Sequence, residues 1–230
     1  MLEKLKREVL QANLDLVKHG LVVLTWGNVS GIDREHGCIV IKPSGVSYDH
    51  LMPEDLVVVD PEGNVVEGNH RPSTDTPTHI ELYKAFPEIG GVSHSHSNYA
   101  TMFAQACKEI PCFGTTHADH FYGCIPLSRF LTKEEVEVAY EKHTGQVIIE
   151  RFENLNPVAT PGILIAGHAP FTWGKTAAES VKNALILERI AEMAIGTYRI
   201  NGEIKELPKY ISEKHYNRKH GPGAYYGQKN

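Results

Sequence analysis

Three histidines and their neighbours define the chemistry open to this chain. His94 and His96 stand two apart in Gly90-Gly91-Val92-Ser93-His94-Ser95-His96-Ser97-Asn98, which reads as a strand leading towards a helical run. Residues two apart in an extended strand face the same side, so both imidazoles would aim at one point. By itself a His-x-His is as readily a polar pair on a solvated strand face. His168 shifts that balance: it closes a second apolar run, Gly162-Ile163-Leu164-Ile165-Ala166-Gly167-His168, ahead of a Pro170-containing turn. Three imidazoles at strand ends match the ligand count of a divalent ion that keeps a coordination position open for a substrate.

Other polar groups suit an anionic partner. Lys42-Pro43-Ser44-Gly45 and Ser73-Thr74 offer an ammonium, hydroxyls and backbone N–H groups, which make short, charge-assisted hydrogen bonds to phosphate. The helix start expected at Thr76-Pro77 would add a favourable dipole. Each cluster alone is a turn first. Asp75 is either a first-turn helix acid or a general acid/base beside the metal. Asp119 and Tyr226, on glycine-flanked loops, are further proton-transfer candidates.

The elements that must carry these groups follow from periodicity. Leu2, Leu5, Val9 and Leu16 mark an amphipathic opening helix stopped by Gly20. Leu21–Leu24 reads as a strand entering a loop over 25–31, and Cys38–Ile41 as a second strand. Leu56–Asp60 and Val65–Glu67 flank Pro61-Glu62-Gly63-Asn64, a hairpin signal. Helices are expected through Ile80, Tyr83 and Phe86, over 99–107, from the capping box Thr132-Lys133-Glu134-Glu135, over 176–198, and in the tail. Ile110–Phe113 and Gly123–Leu127 bracket a polar loop. Strands and helices mix outside strict βαβ alternation, which favours a mainly antiparallel sheet covered by helices in one domain spanning 1–230.

Composition narrows the class. The 230 residues are 41% hydrophobic and 22% charged, ordinary globular values. A formal charge of −5 with no Lys/Arg stripe argues against nucleic acid as partner. The four cysteines show no Cys-x-x-Cys spacing, so reduced thiols in a cytoplasmic chain are expected. Residues 1–7 have no apolar signal region, and no apolar run reaches membrane-span length.

Taken together, Thr25-Trp26-Gly27-Asn28-Val29-Ser30, Lys42-Pro43-Ser44-Gly45, residues 72–79, His94-Ser95-His96-Ser97, Gly114-Thr115-Thr116-His117-Ala118-Asp119 and residues 214–221 resemble the class II aldolase/epimerase family. The likeness runs to the final Tyr225-Tyr226-Gly227-Gln228, and is most particular to its L-ribulose 5-phosphate 4-epimerase branch in that motif and in Gly114–Asp119. It implies an α/β/α fold and a homotetramer with sites between neighbouring subunits. Zinc, with manganese or cobalt as alternatives, would be held by His94, His96 and His168, with Asp75 close to the metal as a further ligand or acid/base group. The phosphate pocket would match Asn28, Lys42, Ser44, Gly45, Ser73 and Thr74, with Thr116 also binding substrate. Asp119 and Tyr226 would arrive from the adjacent subunit as acid/base groups, and His215 would lie near the site.

The implied reaction interconverts L-ribulose 5-phosphate and D-xylulose 5-phosphate. C4 is not adjacent to the C2 carbonyl and bears no acidic proton, so direct deprotonation is closed off. Cleaving the C3–C4 bond leaves glycolaldehyde phosphate and the enediolate of dihydroxyacetone, which a metal can stabilise. Turning the aldehyde by about half a revolution and re-forming the bond inverts C4, with one proton-transfer group needed per epimer. An aldolase of the same family, such as one acting on L-fuculose 1-phosphate, is the alternative; it typically has glutamate where this chain has Asp75.

Overall fold

The computed structural model describes residues 2–226; Gly227 and Gln228 of the C-terminal motif lie outside the described residues. The chain opens with helix α1 (Glu3–Lys18), which buries Val9, Ala12, Asn13 and Leu16 along one stripe, the spacing that marks it in the sequence. Strands β1 (Asn28–Asp33) and β2 (Cys38–Ile41) follow, then β3 (Val57–Val59) and β4 (Val65–Glu67), which pair antiparallel across the expected hairpin. Helix α2 (Thr76–Ala85), β5 (Gly91–His94), α3 (Asn98–Gln105) and the short α4 (Thr115–Ala118) come next. They are followed by α5 (Lys133–Arg151), β6 (Gly162–Leu164), β7 (Pro170–Gly174), α6 (Ala177–Ile200) and α7 (Lys209–His220). Thr132 and Glu135 form the capping box that starts α5.

All seven strands join one sheet in the order β4-β3-β2-β1-β5-β7-β6, and every pair of neighbours is antiparallel. Alternation along the strands divides the core. Ile39, Val57 and Val59 face one way, into a cluster with Ile80, Leu82 and Tyr83 of α2 and Ile148 of α5. Val40 and Val58 face the other way, onto Val9, Ala12 and Leu16 of α1 and Val181 of α6. Both faces are therefore covered, giving the mixed α/β architecture expected. The four cysteines are unpaired, and among the described residues no helix is long and apolar enough to cross a membrane.

Three local expectations need correction. Leu21–Leu24 is not a strand: only Leu21 is well buried, Val23 and Leu24 are exposed, and Leu24 has φ +56°. The strand begins instead inside the polar run, at Asn28. There pairing with β5 on one side and β2 on the other overrides the weak strand propensity of Asn, Ser and Gly. At α2, where Thr76 reads as the cap with Pro77 as the first helical residue, Asp75 occupies the cap and Thr76 is already helical. Finally, β5 ends at His94, so His96 lies just beyond the strand.

The antiparallel order gathers the chemistry at one end of the sheet. Asn28 at the start of β1 pairs in register with His94 at the end of β5, and His94 pairs with Phe171 near the start of β7. Lys42 follows the end of β2, and His168 precedes β7 by two residues, so both emerge at the same end.

Candidate metal centre and substrate cleft

The three histidine rings share a centre. Candidate ligand atoms of His94, His96 and His168 all lie within 4.8 Å of one another. His94 Nε2 and His96 Nε2 are 3.2 Å apart, and the ring centroids are pairwise 4.9 Å apart. Strand register places His94. Gly27 then lets the preceding loop close on it: its φ is +75°, and a Cβ there would come within 2.7 Å of the His94 carbonyl oxygen. Gly167, at φ +72°, makes the turn that presents His168.

The donor set fits a divalent ion. Burial pushes His94 down to about 3 and His168 to about 4, and the neighbouring imidazoles add to both effects. Partial desolvation lowers His96 as well, against the opposing pull of Asp75. All three rings are therefore neutral at physiological pH, the form that ligates. His94 Nδ1 lies 2.9 Å from the Pro170 carbonyl oxygen and donates to it, which fixes the tautomer and frees Nε2 for the shared centre. Phe171 stacks under the same ring at 4.1 Å. The His94 Nε2 lone pair thus faces the His96 ring nitrogen at 3.2 Å, a spacing that suits a shared cation.

A cleft of about 580 Å³ opens over this centre. Its wall contains Asn28, Lys42, Ser44, Gly45, Ser73, Thr74 and Asp75, so seven expected residues meet the histidines in one cavity. The two loops are joined backbone to backbone: Ser44 N donates to the Arg71 carbonyl and Ser73 N to the Lys42 carbonyl, both at 3.0 Å. Those N–H groups are thus spent on architecture, leaving hydroxyls and the ammonium for a ligand. Lys42 is only 1% exposed, and its Nζ donates to the Val46 and Pro43 carbonyls. Among the described residues no carboxylate pairs with it. Burial pushes Lys42 down to about 8, and an anion in the cleft would reverse that shift.

Asp75 does not cap its helix with its side chain; its Oδ2 accepts from Asn28 Nδ2 at 2.6 Å. It lines the cleft but stands outside the three-histidine ligand cluster.

The remaining candidates assemble elsewhere. Asp119 Oδ1 accepts from His215 Nδ1 at 3.1 Å and Arg218 Nε at 2.9 Å, while Oδ2 accepts from Arg218 Nη2 at 2.6 Å. Burial alone would raise the Asp119 carboxyl, but the Arg218 and His215 hydrogen bonds and the Lys219 charge hold it below its ordinary value. Tyr226 lies under Arg218 and Lys219, at 4.7 and 4.5 Å from its ring centroid. Thr116 lines a small separate cavity beside His117 and α6. None of Thr116, Asp119, His215 or Tyr226 lines the histidine cleft of its own chain.

Trp26, Tyr140 and Glu141 also line the cleft, although the sequence did not single them out as site residues. Trp26 belongs to one of the motifs that carry the family likeness, and its ring lies 6.2 Å from that of His96. Tyr140 and Glu141 follow a break in α5 that no glycine or proline announces.

Known proteins share this fold. An L-fuculose 1-phosphate aldolase is 25% identical and superposes with a TM-score of 0.79, covering 94% of this chain and 95% of its own. YgbL from Klebsiella pneumoniae, described as a putative aldolase/epimerase/decarboxylase, is 24% identical with a TM-score of 0.74, covering 93% and 99%. The L-fuculose-1-phosphate aldolase of Thermus thermophilus is 22% identical with a TM-score of 0.70, covering 88% and 98%. The last two show the fold alone. Residues 7–195 match the family model described as the Class II Aldolase and Adducin N-terminal domain, and the chain belongs to that family.

Proposed function

We propose that this chain is an L-ribulose-5-phosphate 4-epimerase, interconverting L-ribulose 5-phosphate and D-xylulose 5-phosphate. The observation that carries the sugar-phosphate reading is Lys42: a buried ammonium without a carboxylate partner, in the same cleft as three converging neutral imidazoles. A buried ammonium without a counter-charge calls for an anionic ligand, and hydroxyls from Ser44, Ser73 and Thr74 beside it suit phosphate. A divalent ion, zinc by family likeness, supplies Lewis-acid stabilisation of the carbanion left when the C3–C4 bond breaks.

The residues of the chain supply the rest. Lys42 and the hydroxyl groups hold the phosphate end, with Gly45 leaving room for it. Asn28 is oriented by Ser73 and Asp75 through its amide nitrogen, at 3.0 and 2.6 Å. Asp119 and Tyr226 take and return the proton of the C4 hydroxyl, one for each epimer, and His215 orients Asp119. Because those groups lie outside the cleft of their own chain, they would be delivered by a neighbouring copy in a homotetramer, with Thr116 from the same side. The proposed setting is the cytoplasm.

The L-fuculose 1-phosphate aldolase likeness favours a second reading, in which the same centre cleaves the sugar and releases both fragments. A coupled assay for D-xylulose 5-phosphate formed from L-ribulose 5-phosphate, before and after chelation, separates the two. Metal-dependent epimerisation without free two- and three-carbon products supports the epimerase. Release of dihydroxyacetone phosphate from L-fuculose 1-phosphate, with no epimerisation, overturns it.

A further inference from the structure

The three metal-centre histidines differ in how their outer nitrogens are held. His94 has the Pro170 carbonyl at its Nδ1, whereas the Nδ1 of His168 faces the hydroxyl of Tyr140 at 3.5 Å, from an element 28 residues earlier in the chain. We propose that Tyr140 is the positioning residue for His168, accepting its Nδ1–H so that Nε2 is left for the ion. This rests on the three-histidine reading of the site and adds to it a residue that the chain's motifs do not mark.

The tautomer argument sets the direction of the bond. An imidazole that ligates through Nε2 must carry its proton on Nδ1, so the group facing Nδ1 must accept. A phenolic oxygen can do so and still has its own O–H to offer into the cleft.

The backbone is built to bring this hydroxyl there. Ala139 leaves helical geometry at φ −163° and ψ 73°, so α5 breaks one residue before Tyr140. Beyond the break the main chain is fixed from two sides. Thr144 Oγ1 donates to the Tyr140 carbonyl at 2.9 Å, and Thr78 Oγ1, from α2, donates to the Glu141 carbonyl. Gly145 permits the close approach of the two helices, since a Cβ there would meet the Glu81 side chain at 2.7 Å. The first turns of α2 thus hold Tyr140 in register with Asp75 and the cleft.

The test is Tyr140→Phe, which keeps the ring and removes the acceptor. Zinc affinity is read by competition with a chromophoric chelator, together with the visible spectrum of the cobalt-substituted protein and the melting temperature of the metal-free protein. We expect zinc affinity to fall about 10- to 100-fold, a shifted cobalt spectrum and unchanged metal-free melting. Zinc affinity within about two-fold of the parent would overturn the proposal, as would a loss matched by lower metal-free melting, which would assign the contact to packing. If His96→Ala also binds zinc like the parent, the metal centre falls; if only Tyr140→Phe does, this contact alone falls.

Discussion

At the scale of single residues, the molecule carries more buried imidazole than its metal centre needs. His79 is fully buried: its Nδ1 lies 2.7 Å from Ser30 Oγ, which in turn bonds Tyr83 Oη, and its Nε2 has no partner. Burial pushes it down to about 3, and burial pushes His117 to about 4. Both folded values lie below the ordinary histidine value of 6.5. Above that pH the two states are equally deprotonated and nothing is lost. Below it the unfolded chain gains protons that the folded chain refuses, so stability falls until the folded values are reached. Each such histidine takes away about 1.4 kcal/mol per pH unit in that window. The urea midpoint of chelated protein should therefore drop clearly between pH 7.5 and 5.5, with His94 and His168 adding to the effect when no ion holds them. A midpoint that is flat or rising over that range would contradict the burial of these rings. His79 and His117 fall within the family motifs, but nothing in the sequence marks them as buried. His94, His96 and His168 do stand out, because their spacing and position at strand ends are chemical statements a chain can make without its fold.

At the scale of elements, the parts legible in the sequence are those with strong local signals. The stripe of α1, the hairpin at 61–64 and the capping box of α5 all rest on residues that state their own geometry. What escaped was decided by distant partners. Asn28-Val29-Ser30-Gly31 has the composition of a loop, yet it is held as β1 by strands on both sides. Asn13 of α1 adds to that hold, accepting from Val29 N and donating to the Val29 carbonyl. The kink at Ala139 is likewise invisible, since alanine is the best helix former and the break serves contacts made across the fold. The loop over β5 tests this coupling. Gly27→Ala places a methyl against the His94 carbonyl, at 2.7 Å, in a left-handed conformation. A loss of about 1–3 kcal/mol in unfolding free energy is expected, with weaker zinc binding because the strand end bearing His94 must shift. Unchanged values of both would show that the loop yields freely and does not help to place the metal centre.

At the scale of the whole molecule, the decisive feature is that one chain holds two separate sets of groups. The cleft has the histidines and the anion-binding wall, while Asp119, His215, Arg218 and Tyr226 gather around α4 and α7. If a neighbouring copy unites them, two different lesions should complement. His96→Ala should lose metal and turnover. Asp119→Asn should keep its metal and slow epimerisation strongly, since it removes a proton acceptor without touching a ligand. In a closed ring of four copies, each site takes its metal half from one chain and its acid/base half from the next. Random mixing of the two variants then leaves roughly a quarter of the sites with both halves intact. Co-refolding equal amounts should recover activity near that fraction, although each variant alone is nearly inactive. Mixed oligomers, verified by native mass spectrometry, that recover no activity would place all the catalytic groups within single chains. That result would also require Asp119 to leave Arg218 and His215 and reach the cleft of its own subunit, a rearrangement opposed by the three short hydrogen bonds that now hold it.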